Sequence, residues 1–258
     1  GLQALPGLRR NRSDAPEPEP IKPVAEEYVL RTCEYLSPVV AAMVRVQLYT
    51  GMRSGELVQL RPIDVDTTGK VWQYRPPHHK TAYRGHTRVV PIGPRAQKAL
   101  APFMTNRAVD QYCFSPAEAE AWRRAEQHRR RKTPLNQGNR PGTNRLKNPS
   151  KKPGDRYDAT SYRKAVEKAI RKANREIEDA VRREMAGAKD KDIKAEIDRR
   201  RLPHWTPHRL RHTAATRIRR DFGLDAARAV LGQRTLAIAD RYAEIDQPIA
   251  EKAASKLG

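Results

Sequence analysis

Residues 37–51, SPVVAAMVRVQLYTG, are apolar around nearly the whole circumference of a helix. Ser37 suits the N-cap, Pro38 the first helical position and Gly51 the C-terminal stop. A helix with no polar face has nothing to offer water, so it must be buried and other elements must surround it. The rest of the chain supplies candidates. A short helix is predicted over 54–60, and past Pro62 the period changes. Residues 71–75, 79–82 and 87–92 are strand-like runs separated by Pro76-Pro77 and by the Arg84-Gly85 turn, which predicts a small antiparallel sheet. Residues 94–103 read as a helix. From Asp158 onward Tyr162, Val166, Ala169, Ile170, Ala173, Ile177 and Val181 recur at spacings of three and four, the signature of an amphipathic helix. After Gly187 the run KDKDIKAEIDRRR either extends that helix or forms a second. Thr206-Pro207 repeats the cap-plus-proline signature and opens a helix ending near Gly223. Asp225 and Gly232 bracket another, and Thr235 caps one more, which carries Tyr242. The fold class is mainly α with a small antiparallel β-sheet, with no repeat at solenoid or propeller periods.

Two stretches read differently. Residues 1–23 hold Pro6, Pro16, Pro18, Pro20 and Pro23 among charges and are expected to be a disordered linker. Residues 121–155 carry many Arg and Lys with Pro, Gly and Asn and no sustained period, which predicts a long basic loop.

The charge balance narrows the function. Lys+Arg 52 against Asp+Glu 30 gives a formal net charge of +22, which calls for a polyanionic partner, nucleic acid first and an anionic membrane surface as the competitor. Residues 121–205 alone hold 26 Lys+Arg against 12 Asp+Glu, well over half of that excess. Phosphate contact is the sharper reading of this span; a solvated face or protein contacts are the plainer ones. No apolar run reaches the roughly 20 residues of a membrane span, and the first residues contain no signal-peptide core. Cys33 and Cys113 are too few for a disulfide framework or a zinc site. These features predict a cytoplasmic protein, nucleoid-associated if prokaryotic.

Three segments carry candidate chemistry. In TGMRSGELVQL, Arg53 follows a helix end and Glu56 comes three residues later. In HHKTAYRGHTRVVPI, Lys80 lies on a hairpin. In HRLRHTAATRIRRDFGLDAARAVLGQRTLAIADRYAEID, His208 and Arg211 stand one helical turn apart on one face, so both can reach one ligand.

Taken together and in this order, the segments resemble the catalytic domain of the tyrosine recombinases, or phage-integrase family: an H-x-x-R box, an L-G-[HW] turn and a tyrosine nine residues further on. The resemblance covers roughly 33–258, except an insertion at about 115–205. It implies a tyrosine-recombinase catalytic domain over 24–258. The family's N-terminal core-binding domain, which completes a clamp on DNA, is expected to be absent from this chain. It further implies site-specific DNA recombination by metal-independent transesterification, with Tyr242 forming a 3'-phosphotyrosyl intermediate. Arg53 and Arg211 would clamp phosphoryl oxygens, Lys80 would protonate the leaving 5'-oxygen, and His208 would assist proton transfer. Gln233 takes the His/Trp position, Glu56 would hold Arg53 or His208, and His212 would be a structural histidine or a support of the site. No cofactor, metal, membrane or small-molecule substrate is implied. The partners are double-stranded DNA and other protomers in a tetrameric synapse on DNA.

Each residue also has a plain structural reading. A lone tyrosine in ADRYAEI is more often half-buried on a helix than nucleophilic, Arg53 could simply pair with Glu56, and Lys80 competes with Lys70, Arg84 and Arg88. His204, His208 and His212 recur every four residues, but Arg209 stands where a zinc protease needs Glu, so a metal site is rejected. His78 and His79 have no assignment. Gln233 departs from the family pattern; its amide can donate a hydrogen bond but carries no charge. A type IB topoisomerase, a non-cutting DNA-binding member and a basic protein–protein adaptor are the alternatives.

Overall fold

A computed structural model of the chain describes residues 21–79, 87–138 and 153–232. Its elements, in chain order, are α1 (Glu26–Cys33), α2 (Pro38–Thr50), α3 (Ser54–Leu57), β1 (Val65–Asp66), β2 (Trp72–Tyr74), β3 (Val90–Ile92), α4 (Pro94–Leu100), α5 (Pro116–Arg129), α6 (Ala159–Glu184), α7 (Asp190–Arg200), α8 (Pro207–Phe222) and α9 (Leu224–Leu231). The mainly helical class with a small antiparallel sheet is what the sequence predicts.

The centre is α2. The Ser37 hydroxyl accepts from the Val40 N–H at 3.4 Å, Pro38 starts the helix, and Gly51 ends it at φ 66°. From Val39 to Thr50 every residue is buried except Arg45 and Tyr49, and α1, α3, α4, α5, α6, α8 and β3 all pack on it. Each Val, Leu or Met removed from water here contributes roughly 1.5–3 kcal/mol.

The sheet is antiparallel in the order β1-β2-β3, with Val65 opposite Tyr74 and Trp72 opposite Ile92. β1 has no counterpart in the sequence reading, because two residues are too short to show a period. The expected strand over 79–82 and the Arg84-Gly85 turn fall almost wholly outside the described residues.

α6 forms as its spacing predicts. Asp158 caps it by accepting from the N–H groups of Thr160 and Ser161 at 2.7 Å each, and Tyr162, Val166, Ala169, Ile170, Ala173 and Val181 are buried. Thus one face of α6, within the span 115–205, belongs to the core. The charged run after Gly187 is a second helix, α7, with no buried residue, joined to α6 by an ion pair between Arg200 and Glu184 at 2.6 Å. α8 starts at Pro207, but the Thr206 side chain makes no cap hydrogen bond.

Two expectations need correction. The stretch 121–155 is not loop throughout, since α5 continues to Arg129. No residue of this helix is fully buried and it shows no apolar stripe; Ala119 rests against the core, and the helix is further held by Ser115, whose hydroxyl accepts from the Ala117 N–H, and by pairs one turn apart, Glu120 with Arg123 and Arg124, and Glu126 with Arg129 and Arg130. The second correction is at the N-terminal side. Lys22 and Pro23, read as linker, lend their carbonyls to Arg209 at 2.8 and 2.9 Å, and Val24 exchanges two 2.9 Å bonds with the Thr213 hydroxyl. α1 follows, missed because its burial is tertiary: the fully buried Trp205 donates from Nε1 to Thr32 Oγ1 at 3.1 Å.

Candidate functional site

The site is built where α2 turns into α3. Gly51 adopts the left-handed conformation, and a Cβ there would stand 2.6 Å from Leu231 Cδ2 and 3.1 Å from Ala214 Cβ. Only glycine lets α8 and α9 approach the turn this closely. Beneath it lies Gln47, fully buried, whose amide donates to the Met52 carbonyl and to Ser54 Oγ at 3.1 Å each, while Tyr162 of α6 donates its hydroxyl to Gln47 Oε1 at 3.0 Å. Burial pushes the Tyr162 hydroxyl well above the usual tyrosine range, so it stays a donor. This network fixes the backbone on both sides of Arg53.

Arg53 then projects beside α3. Its Nη1 donates to Glu56 Oε1 at 2.7 Å and its own N–H to Glu56 Oε2 at 2.9 Å. The Glu56 side chain is 2% exposed and that of Arg53 29%, so the carboxylate is a buried anchor and the guanidinium faces outward from it. Tyr74 of β2 donates to the Glu56 carbonyl at 2.7 Å, tying the sheet to α3. Of the two partners expected for Glu56, its oxygens hold Arg53.

An open depression of about 340 Å3 adjoins this pair, lined by Arg53, Gly55, Glu56, Gln59, His78 and His79. Gln59 holds the chain there, donating to the carbonyls of Gly55 and His78 and accepting from the His78 N–H. His78 and His79, unassigned from sequence, are therefore on the rim, in the chain leading directly to Lys80. The signal available was their place immediately before that lysine. Lys80 itself lies outside the described residues, as do Gln233 and Tyr242.

From the other side, α8 brings His208 and Arg211. Arg211 is 1% exposed and donates from Nη1 to the Gly51 carbonyl at 2.7 Å and from Nη2 to the Leu231 carbonyl at 2.8 Å. One guanidinium thereby joins the turn that carries Arg53 to the end of α9. His208 is held below the ordinary histidine value by burial and by the nearby charges of Arg211 and Arg53, which places all three in one electrostatic environment. His212 lies against His208, ring centroids 5.0 Å apart and Nε2 atoms 3.4 Å apart. It is pushed down to about 4 by burial, His208, Arg211 and Arg209. Both imidazoles are thus neutral near pH 7 and can pass or share a hydrogen bond without adding charge.

Four of the expected residues, Arg53, Glu56, His208 and Arg211, with His212 behind them, are assembled by α2, α3 and α8. Among the described residues no group of three or more His, Cys, Asp or Glu side chains could hold a metal ion, and no helix is long and apolar enough to cross a membrane. The arrangement suits an anion with charged oxygens: guanidinium forks make paired hydrogen bonds to phosphate-like groups, and neutral histidine can move a proton.

A helical body with a three-stranded sheet, an Arg–Glu turn and a His-x-x-Arg helix has the fold of the tyrosine-recombinase catalytic domains, and solved structures agree. XerA recombinase matches with a TM-score of 0.51 at 18% identity, over 91% of this chain and 65% of that one. A Tn1549 transposon integrase in complex with a circular intermediate DNA matches at 0.56 and 15% identity, over 96% of this chain and 68% of that one; the same integrase with transposon right end DNA matches at 0.53 and 17%, over 95% and 68%. The chain belongs to the phage integrase family, whose family model matches residues 25–248. It spans only about two thirds of the length of these solved relatives. No match was found among curated proteins.

Proposed function

We propose that this chain carries out site-specific DNA strand exchange by metal-independent transesterification. The observation that carries the reading is the Arg211 bridge to the Gly51 turn, which draws the H-x-x-R helix and the Arg53–Glu56 turn of a phage-integrase family chain into one site. The Tyr242 oxygen attacks the scissile phosphorus, forming a 3'-phosphotyrosyl bond as the bond to the 5'-oxygen breaks. Lys80 gives that oxygen its proton. Attack by the 5'-hydroxyl of a partner strand reverses the step and releases Tyr242, so the bond energy is conserved and no nucleotide is consumed. Arg53 offsets charge on the phosphoryl oxygens from the open side and Arg211 from the floor, His208 assists proton movement, and Gln233 donates a hydrogen bond from its amide. The DNA-bound Tn1549 relatives support duplex DNA as the partner, and exchange of strands between two duplexes calls for several protomers, a tetramer in the family's pattern.

The test is trapping on a nicked duplex, read on a denaturing gel without metal or nucleotide, beside a Tyr242→Phe control. A shifted band present only with Tyr242 is expected, with DNA affinity nearly equal in both proteins because the substitution removes a single oxygen. Cleavage at the wild-type rate by Tyr242→Phe would sink the assignment. One observation favours a second reading, DNA binding without cutting: Arg211 is 1% exposed and already donates to two carbonyls. Salt-sensitive binding with no covalent band at any nick position would select it.

A further inference from the structure

Arg88 precedes β3 and is 7% exposed, a buried cation that the reading above does not use. Its Nη1 donates to its neighbour Val89 and, across 142 residues of sequence, to the carbonyl of Val230 in the last turn of α9, both at 3.0 Å. Its Nε lies 3.7 Å from Glu56 Oε1, the same oxygen that receives Arg53. Nε and Nη2 are fully buried and make no hydrogen bond among the described residues. The fit is tight at Gly232 as well, where a Cβ would come within 2.7 Å of Arg88 Nη1 and φ is 64°.

A buried arginine of this kind is a poor device for stability. Desolvation lowers its pKa, opposed by Glu56 and reinforced by Arg53, and well-packed apolar side chains commonly match or exceed a buried ion pair. What the guanidinium does is geometric. One planar group touches the carboxylate that aims Arg53 and the carbonyl that ends α9, while Arg211 grips the next carbonyl, Leu231, from the opposite element. Two cations at the negative end of α9 also complement its dipole. The residue after Gly232 is Gln233, and Tyr242 lies nine further on.

We propose that Arg88 is a positioning residue, locking the end of α9 to the Arg53–Glu56 pair and so fixing the point in the chain from which Gln233 and Tyr242 follow in sequence. The catalytic part of this inference rests on the strand-exchange reading; the mechanical part does not.

The test measures two things on wild type, Arg88→Met and Arg88→Lys: the covalent trapping rate at saturating nicked DNA, and amide hydrogen exchange across the whole protein, with 224–232 compared against the rest. Arg88→Met is expected to slow trapping on the order of 10- to 100-fold, as misplaced reacting groups do, with DNA affinity unchanged and faster exchange confined to the end of α9. Arg88→Lys keeps the charge facing Glu56 but cannot span to Val230, so it recovers part of the rate. Wild-type trapping and exchange in Arg88→Met overturn the proposal. So does an equal loss in both variants with exchange rising throughout the protein, which marks a merely structural role. If wild type itself makes no Tyr242-dependent band, the strand-exchange reading fails while the exchange measurement still decides whether Arg88 holds α9.

Discussion

Gly51 concentrates more of this protein than any other single residue: the last turn of α2, a side chain of α8, the end of α9 and the chain that presents Arg53 all meet there. An added Cβ must adopt φ 66° and displace Leu231 Cδ2 from 2.6 Å. Left-handed strain and overpacking together predict that Gly51→Ala costs about 2 to 4 kcal/mol, read as a lower urea midpoint with an unchanged slope. A stability within experimental error of wild type would show that α9 can retreat without loss. His212 makes a second prediction at this scale. Its folded pKa of about 4 lies below the ordinary histidine value of 6.5, so the unfolded chain takes up the proton first. Its contribution to stability is therefore fully present above about pH 6.5 and is lost as pH falls toward about 4. His208, held below the ordinary value by burial and by Arg211 and Arg53, moves stability in the same direction as pH falls below about 6.5. His212→Gln should lose less melting temperature than wild type between pH 7 and pH 4.5; parallel losses would mean that His212 is not held neutral.

Among the elements, α6 reaches furthest, from a capped start at Asp158 to the hydroxyl that Tyr162 lends to Gln47. Removing that hydroxyl leaves a buried amide oxygen one donor short, so Tyr162→Phe should cost about 1 to 3 kcal/mol in chemical denaturation. An unchanged midpoint would show that the network repairs itself. Tyr162 also marks what sequence can and cannot disclose. Its apolar period was legible and placed it in the core; α2 was legible from its all-round apolar run and its caps, and α8 and α9 from their start and stop residues. Its polar role was not, because the partner lies 115 residues away and no local pattern pairs Tyr with Gln. α5 was missed for the opposite reason: its support is local charge pairing with no buried stripe, and a Glu–Arg-rich run reads equally well as solvated loop. At the site, the order of Arg53, Glu56, His208 and Arg211 was readable, since each sits in a short motif at helical spacing. That Arg211 would bind the Gly51 and Leu231 carbonyls, and that Arg88 would share Glu56 with Arg53, depends on how α2, α3, β3, α8 and α9 cross.

For the molecule as a whole the governing quantity is its +22 net charge. Much of the arginine on α5, α6 and α7 is paired with glutamate of the same helix, as in Arg163 with Glu167, Arg182 with Glu178 and Arg199 with Glu196. Such exposed pairs are weak and screened by salt, so a phosphate can compete for the cation while the helix keeps its shape. Acidic residues cancel the charge within α5 and α7 and leave a basic excess on α6. If duplex DNA is the partner, binding is driven by counterion release, and neutralising roughly 6 to 10 phosphates should weaken affinity about 1,000-fold or more between about 50 and 200 mM salt. Replacing Arg123, Arg124 and Arg129 of α5 and Arg130 at its C-cap together by Gln should lower the slope of log affinity against log salt by about 0.9 for each phosphate that these four side chains neutralise. The trapping rate at saturating DNA should stay as it was, because none of the four belongs to the candidate site. An unchanged slope would turn α5 away from the DNA and leave the excess charge of α6 and the remaining basic chain to hold the backbone. A salt-independent affinity in the parent protein would remove DNA as the partner altogether, since no other term in the interaction scales with neutralised phosphates.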